Sequence, residues 1–339
     1  MKVLLLAGGD SSEREISLSS SRAVFDSLKR QSHEVLLIDP ATGQSLLDAD
    51  GRFPEIGKGK ESEEVPSSSV NPTVFKDLMK FHEADRIDVV FIGLHGGRGE
   101  NGAIQNLLDL AGMKYTGSGM TASAVAMNKA LTKRLMASAG IPTPGWSLYH
   151  FRDRSVIDWC VERISKKFHF PVIVKPNDSG STVGLSKVER TADLEEALKK
   201  AAGESTEILV ENYIAGRELT VSVLDGESLP VVEIKPKKGL YDYEAKYTSG
   251  MSEYVAPAEI DDSLAEALKR DAARLYEIVG AAGLVRVDFI VDKKGDRYCL
   301  EMNTLPGMTD LSLAPMAAKC VGIDFDQLID RILNSAINR

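Results

Sequence analysis

The chain has 339 residues, 43% of them hydrophobic and 27% charged, with a formal net charge of −9. That length can bury full cores without disulfide or metal staples, and at roughly 100–200 residues per domain it suggests two or three domains. The acidic balance argues against nucleic acid or an anionic membrane as the main partner, because phosphate surfaces need a basic footprint; it leaves room for a local basic site.

The start, "MKVLLLAGGDSSERE", has one lysine and a short apolar run from Val3 to Ala7, then Gly-Gly and charges. That is too short for a signal segment and fits a first buried strand. No apolar run reaches the roughly 18 residues of a membrane span, so a cytoplasmic protein is expected. Cys160, Cys299 and Cys320 are far apart with no C-x-x-C, and are expected as three buried thiols.

Taken in order, residues 2–7 read as a buried strand and 13–29 as a helix. "EVLLID" (34–39) and "DVVFIGL" (88–94) are further strands, and Gln105 to Ala111 is helical. This β-α-β order implies a parallel sheet with crossover helices. The polar, Gly/Pro/Ser-rich stretch over 40–85 reads as a surface loop or insertion. After a helix over 128–139, "GIPTPGW" (140–146) is hinge-like. "FPVIVKP" (170–176) and "VGLSKV" (183–188) are strands around a Gly/Ser loop, followed by a helix over 192–202. Three strands come in close succession: 207–214, 218–224 and 229–236. The stretch 237–258 has little periodicity, and long loops of this kind are usually functional. A helix over 262–279 leads to "GLVRVDFIVD" and "RYCLEMN", an antiparallel hairpin, and a helix near 325–336 ends the chain. The order is α/β first and α+β later.

Three stretches carry candidate chemistry. On the hairpin, Arg286 and Asp288 alternate onto one strand face, as do Glu301 and Asn303. If the strands pair, one face gathers two carboxylates, an amide oxygen and a guanidinium. Such a set is either a solvated edge with a salt bridge or a site for a hard cation such as Mg²⁺. In "VKPNDSGSTVGLSKV" (174–188), Lys175 stands at a strand end before Gly180, Ser181, Thr182 and Gly184. This is either a flexible hairpin or a strand–loop–strand phosphate cover, in which backbone N–H groups and a lysine meet phosphate oxygens. "LHGGRGENGAIQ" (94–105) and "AGGDSSEREISL" (7–18) follow strand ends, where α/β ligand sites sit. His95 taken alone reads as a core histidine, and G-x-G-x-x-G is absent.

Eight blocks in order carry a resemblance: "GGDSSEREISL", "LHGGRGENG", "YTGSGMTASAVAMNK", "PVIVKPNDSGSTVGLSKV", "VENYIAGRELTV", "YDYEAKY", "RVDFIVD" and "EMNTLPGMTDLSLAPMAA". With these the sequence resembles the D-alanine–D-alanine ligases of the ATP-grasp superfamily. The resemblance implies an ATP-grasp fold: a doubly wound parallel-sheet domain over 1–118, a small central α+β subdomain over 119–212 with the phosphate-covering loop, and a C-terminal subdomain over 213–339 on a mixed or antiparallel sheet. It implies a homodimer, and ATP-dependent joining of two D-alanines through an acyl phosphate for peptidoglycan precursors.

The resemblance also assigns roles. Lys129 and Lys175 correspond to nucleotide-phosphate lysines, with Ser181 in the covering loop. Glu211 corresponds to the acceptor for the adenine amino group, with Tyr213 and Ile214 beside the ring and Glu218 on the ribose. Asp288, Glu301 and Asn303 correspond to ligands of two Mg²⁺ ions, with Mn²⁺ as substitute. Arg286 and the Gly307 N–H correspond to oxyanion donors. Glu13 corresponds to the group meeting the first ammonium, with His95 nearby; Ser312 and Leu313 bind the second carboxylate. Lys246 and Tyr247 lie in the lid, and Tyr247, linked to Ser181 and Glu13, marks an amine nucleophile over D-lactate or D-serine. Asp178-Ser179 and Asn212 depart from the common pattern. A nicotinamide oxidoreductase and a non-catalytic nucleotide module are the readings of other classes.

Overall fold

The protein is described here from a computed structural model, covering residues 1–53, 87–151, 156–180, 182–237, 251–309 and 312–339. Three sheets follow one another along the chain. In the first, β1 (Lys2–Leu6), β2 (Glu34–Asp39) and β4 (Val89–Ile92) are parallel, with the two-residue β3 (Gln44–Ser45) antiparallel at the edge, in the order β3-β2-β1-β4. Strand β1 is apolar on both faces, and both faces are covered. Val3 and Leu5 pack in a cluster with α1 (Arg14–Arg30), while Leu4 and Leu6 pack with Ile104 and Leu108 of α3 (Ala103–Leu110). This is the doubly wound arrangement, and it turns the strand ends and their glycine loops toward the rest of the molecule. The short α2 (Gly97–Glu100) follows β4.

Helix α1 buries Ser17, Ser20, Ser21 and Ser27 on its inner side. The small hydroxyls let the helix come close to the strand ends. Ser17 and Ser21 donate to the Gly93 carbonyl at 2.7 and 3.2 Å, and Ser17 accepts from the Gly8 N–H at 2.9 Å.

The second sheet is antiparallel: β5 (Trp146–His150), β6 (Val172–Pro176), β7 (Ser186–Val188) and β8 (Glu207–Asn212), in the order β5-β8-β6-β7. Helices α6 (Ile157–Lys167) and α7 (Leu194–Ala202) cover it, and among the described residues its buried core runs from Tyr149 to Val210. The third sheet is antiparallel throughout. Its order is β12 (Ser252–Val255), β11 (Val232–Pro236), β9 (Gly216–Leu224), β13 (Leu284–Asp292) and β14 (Arg297–Asn303), with β10 (Glu227–Ser228) paired to β9. One face packs on α8 (Asp262–Val279) and on residues of α4 (Met120–Met127) and α5 (Lys129–Ser138). Helices α4 and α5 fall within the expected central unit 119–212, yet they share the core of the third sheet. The other face shares a core with the first sheet through α9 (Leu313–Lys319) and α10 (Phe325–Ile337). Arg30 of α1 clamps Asp326 with two hydrogen bonds of 3.0 and 2.6 Å, which fixes α10 on α1.

The main strands and helices match the expected ones to within a few residues. Three sequence expectations change. Residues 40–53 are not simply surface loop: Phe53 is buried against Phe25, and Leu46 and Leu47 pack on the same core, so apolar residues in a polar stretch find it. The rest of that insertion, 54–86, lies outside the described residues. Residues 252–255 form an edge strand on β11 rather than loop. Cys320 is exposed at the end of α9, unlike the buried Cys160 and Cys299, because the helix end faces away from the core.

A cavity between two antiparallel sheets and the first sheet's strand ends

Between the second and third sheets lies a cavity of about 360 Å³. It gathers eight residues singled out in the sequence: Lys129, Lys175, Glu211, Tyr213, Ile214, Glu218, Asp288 and Glu301. Such a size and mixed lining suit a small-molecule ligand. Ile173, Leu219, Phe289 and Leu300 supply an apolar slot, and Ser179, Gly180 and Thr182 of the Gly/Ser loop also line the cavity.

Strand register explains how the charges converge. Ile173 stands opposite Glu211, so Lys175, two residues on, shares Glu211's face. Lys175 Nζ is 2.6 Å from Glu211 Oε1, and Lys133 Nζ is 3.0 Å from the other oxygen. Burial alone would raise the Glu211 carboxyl, but the two ammonium groups overcome it and hold it below the usual range. Burial likewise pushes Lys175 down, and the Glu211 and Glu301 charges more than reverse this. Lys133 is lowered, by burial first, with Lys175's like charge adding to it against the pull of Glu211.

Lys129 opens α5. Asn128 caps that helix by accepting from the Leu131 N–H at 2.9 Å. Asn177, at the base of the phosphate loop and fully buried, accepts from the Lys129 and Ala130 N–H groups at 3.0 and 2.8 Å, and donates to Glu207 at 2.8 Å. The helix start and the loop are thereby one unit. Lys129 Nζ donates to the Ser179 carbonyl at 2.7 Å and stands 3.7 Å from Glu301. Over the Tyr213 ring, Lys187 Nζ lies 4.0 Å from the centroid. An ammonium thus stands at this wall although Asn212 is not a lysine.

On the hairpin, Arg286 faces Asn303 and Asp288 faces Glu301 in register, so all four share a face, and a bulge follows Asp288. Arg286 clamps Asp288 with bonds of 2.9 and 3.0 Å, and Thr220 donates to Asp288 at 2.6 Å. Among the described residues no three His, Cys, Asp or Glu side chains form a metal cluster. The donor set is two carboxylates and an amide oxygen. Hard oxygens in that number fit Mg²⁺ shared with substrate phosphates rather than a closed protein cage.

Of the remaining predicted residues that are described, Glu13, His95 and Gly307 gather beside the cavity, at the ends of the parallel strands. Glu13 occupies the N-cap position of α1 without a side-chain capping bond and is buried; its Oε2 lies 2.3 Å from where a Cβ would stand on either Gly96 or Gly180. The two glycines therefore allow the strand-end loop and the phosphate loop to close on one carboxylate. His95 uses both ring nitrogens inside the protein: Nδ1 bonds the Leu305 carbonyl at 2.9 Å and Nε2 meets Ser20 Oγ at 3.1 Å. The carbonyl can only accept, so Nδ1 carries the proton. Burial, ahead of the opposing Glu13 charge, lowers the imidazole and keeps it neutral. Ser20 in turn accepts from the Met308 N–H at 3.2 Å, and Glu100 accepts from the Gly96 N–H at 3.1 Å and the Leu305 N–H at 3.4 Å. Burial and the Glu13 charge push the Glu100 carboxyl up to about 7.

Three side chains from the first unit thus hold the segment around Gly307. A Cβ on Gly307 would lie 3.0 Å from Ser312 Oγ, which accepts from the Thr309 N–H at 2.9 Å. Leu313's side chain is in the core, so only its backbone can face a ligand. Ser181, Lys246 and Tyr247 lie outside the described residues. Lys133, Asn177, Ser20 and Glu100 were missed from sequence, and only Asn177 and Glu100 lay in motifs already singled out.

Two antiparallel units clasping a cavity lined by paired lysines and carboxylates are the arrangement of an ATP-grasp ligase. The family profile described as "D-ala D-ala ligase N-terminus" matches residues 2–118, and "D-ala D-ala ligase C-terminus" matches residues 135–334. A D-alanine–D-alanine ligase of Magnetococcus marinus is 41% identical over 336 residues, 99% of this chain and 97% of that protein. Among solved structures, the Bacillus anthracis D-alanine–D-alanine ligase complexed with ATP has a TM-score of 0.77 at 26% identity, covering 100% of this chain and 98% of that one. The VanG D-Ala:D-Ser ligase of Enterococcus faecalis has a TM-score of 0.78 at 28% identity, with 99% of each chain covered. The chain belongs to the D-alanine–D-alanine ligase family, enzymes that form a carbon–nitrogen bond.

Proposed function

We propose that this enzyme joins two D-alanine molecules to D-alanyl-D-alanine, with ATP cleaved to ADP and phosphate, as a cytoplasmic step toward peptidoglycan. The observation that carries this reading is the full-length relationship to D-alanine–D-alanine ligases together with a cavity that gathers eight of the expected residues. The purine would lie in the apolar slot beside Tyr213 and Ile214, its amino group on Glu211 and its ribose on Glu218. Lys129 and Lys175 would meet the phosphates, with Ser181 and its neighbours closing above them.

Asp288, Glu301 and Asn303 would hold Mg²⁺, or Mn²⁺ in its place, which supplies charge neutralisation at the transferring phosphoryl group. The first D-alanine carboxylate takes the γ-phosphoryl group to give an acyl phosphate, with its ammonium on Glu13 and its surroundings fixed by His95. The second D-alanine, its carboxylate on Ser312 and the Leu313 backbone, attacks through its amine. Arg286 and the Gly307 N–H would stabilise the tetrahedral oxyanion, and phosphate leaves. Lys246 and Tyr247 would close over the acyl phosphate and keep water out. We further propose a division into units 1–118, 119–212 and 213–339, and a homodimer.

ADP release that depends on D-alanine, with ATP and Mg²⁺ present, tests the main claim; its absence at millimolar D-alanine refutes it. The similarity to VanG favours D-serine as the acceptor in a second reading. Product analysis with D-alanine, D-serine and D-lactate in competition decides between them, and the dipeptide of two D-alanines is expected to dominate. Tyr247→Phe is expected to admit D-lactate; ester formation unchanged from wild type would count against that role.

A further inference from the structure

Lys133 is fully buried, lines no part of the cavity and so cannot touch the nucleotide. Its Nζ donates to Thr143 Oγ1 at 2.6 Å and stands 3.0 Å from Glu211 Oε2 as an ion pair without hydrogen-bond alignment. A lysine is almost never sealed in this way unless its partner requires it. Thr143 lies in the segment joining α5 to β5, which is also bonded from Asn212 N to Gly145 O at 2.9 Å and from Cys299 N to Pro142 O at 2.7 Å. Lys133 is therefore held by a fixed strap on one side and grips the cavity's carboxylate on the other.

We propose that Lys133 is a positioning residue for purine recognition: from behind the cavity wall it fixes the Glu211 carboxylate in the orientation that accepts a 6-amino group and rejects a 6-oxo group. The inference rests on the reading that Glu211 faces the adenine. Lys175 cannot do this alone, because it approaches the other oxygen and also borders the phosphate end of the cavity. An ammonium beside each oxygen holds the carboxylate against rotation, and because Oε2 is sealed behind the wall it is Oε1 that is left to meet the ligand. Burial would otherwise protonate Glu211; the two lysines prevent it, and an unprotonated carboxylate repels a 6-oxo purine.

The test measures KM for ATP and for purine riboside triphosphate, which lacks the 6-amino group, in wild type, Lys133→Met, Glu211→Gln and the double variant. Lys133→Met is expected to raise KM for ATP about tenfold and leave KM for the analogue within about twofold. The double variant is expected to resemble Glu211→Gln alone, and Lys133→Arg to recover most of the preference for ATP. Should Lys133→Met prove insoluble, Thr143→Val gives the same reading with a drop in preference of about threefold. A lower melting temperature with unchanged preference makes Lys133 purely structural and overturns the proposal. If Glu211→Gln weakens both nucleotides equally, the adenine reading itself fails.

Discussion

Around the cavity, cations face carboxylates: Lys133 and Lys175 on Glu211, Lys129 near Glu301, Arg286 on Asp288. At the ends of the parallel strands the organisation is different. There Ser20, His95 and Glu100 hold the backbone of Leu305 and Met308 by hydrogen bonds, and the charged members are a neutral imidazole and a carboxyl raised toward neutrality. The first region suits the phosphate-bearing ligand proposed for it, because its cations are the groups that form strong charge-assisted bonds to phosphate oxygens. The second is built to hold position, because satisfied hydrogen bonds between buried groups have one geometry. Gly180 and Glu13 join the two regions where the loop meets the carboxylate.

Substitutions can separate the two regions. Glu301→Ala removes a proposed metal ligand from the charged region and is expected to lower kcat by about a thousandfold. Its melting temperature should stay within a few degrees of wild type, since Glu301 is only half-buried; a near wild-type rate would refute the metal assignment. Gly180→Ala attacks the junction, because the added methyl meets Glu13 Oε2 at 2.3 Å. Displacing that carboxylate is expected to raise KM for the first amino acid about tenfold while ATP affinity changes little; a selective effect on ATP would show that the loop serves the nucleotide alone.

The smallest effect belongs to the positional region and is read as a pH dependence. Glu100's carboxyl lies near 7 in the fold against an ordinary 4.5, so the folded protein binds that proton more tightly than the unfolded chain. Stability from this group is therefore present below about 4.5 and is lost as pH rises to about 7, by roughly 1–3 kcal/mol. Glu13 and Lys129 are the charged groups that act on it. Glu100→Gln, a permanent neutral mimic, should flatten this part of the stability profile in denaturant titrations; an unchanged slope would assign it to other groups.

Much of the site was legible along the chain because its residues stand at strand ends or alternate on strands. Asp288 and Glu301 share a face by period-two alternation, and the pairing of β13 with β14 only had to bring them opposite. Lys175 and Gly180 announced themselves by type and order. Lys133 did not. Within "KALTKRLMAS" it is one of several polar residues on a short helix, and a lysine there ordinarily faces water. Ser20 was hidden likewise among the serines of α1.

The amino-acid sequence thus determined the elements, the family and the candidate groups that the cavity gathers, since those depend on local periodicity and on short motifs of fixed chemistry. Folding in three dimensions settled which groups stand behind them. It buried Lys133 on Glu211, joined Asn177 to the start of α5, and brought Gly180 onto Glu13 from 167 residues away along the chain (180 minus 13). These contacts carry no local signature, because burial and pairing across such separations arise only when separate sheets pack together.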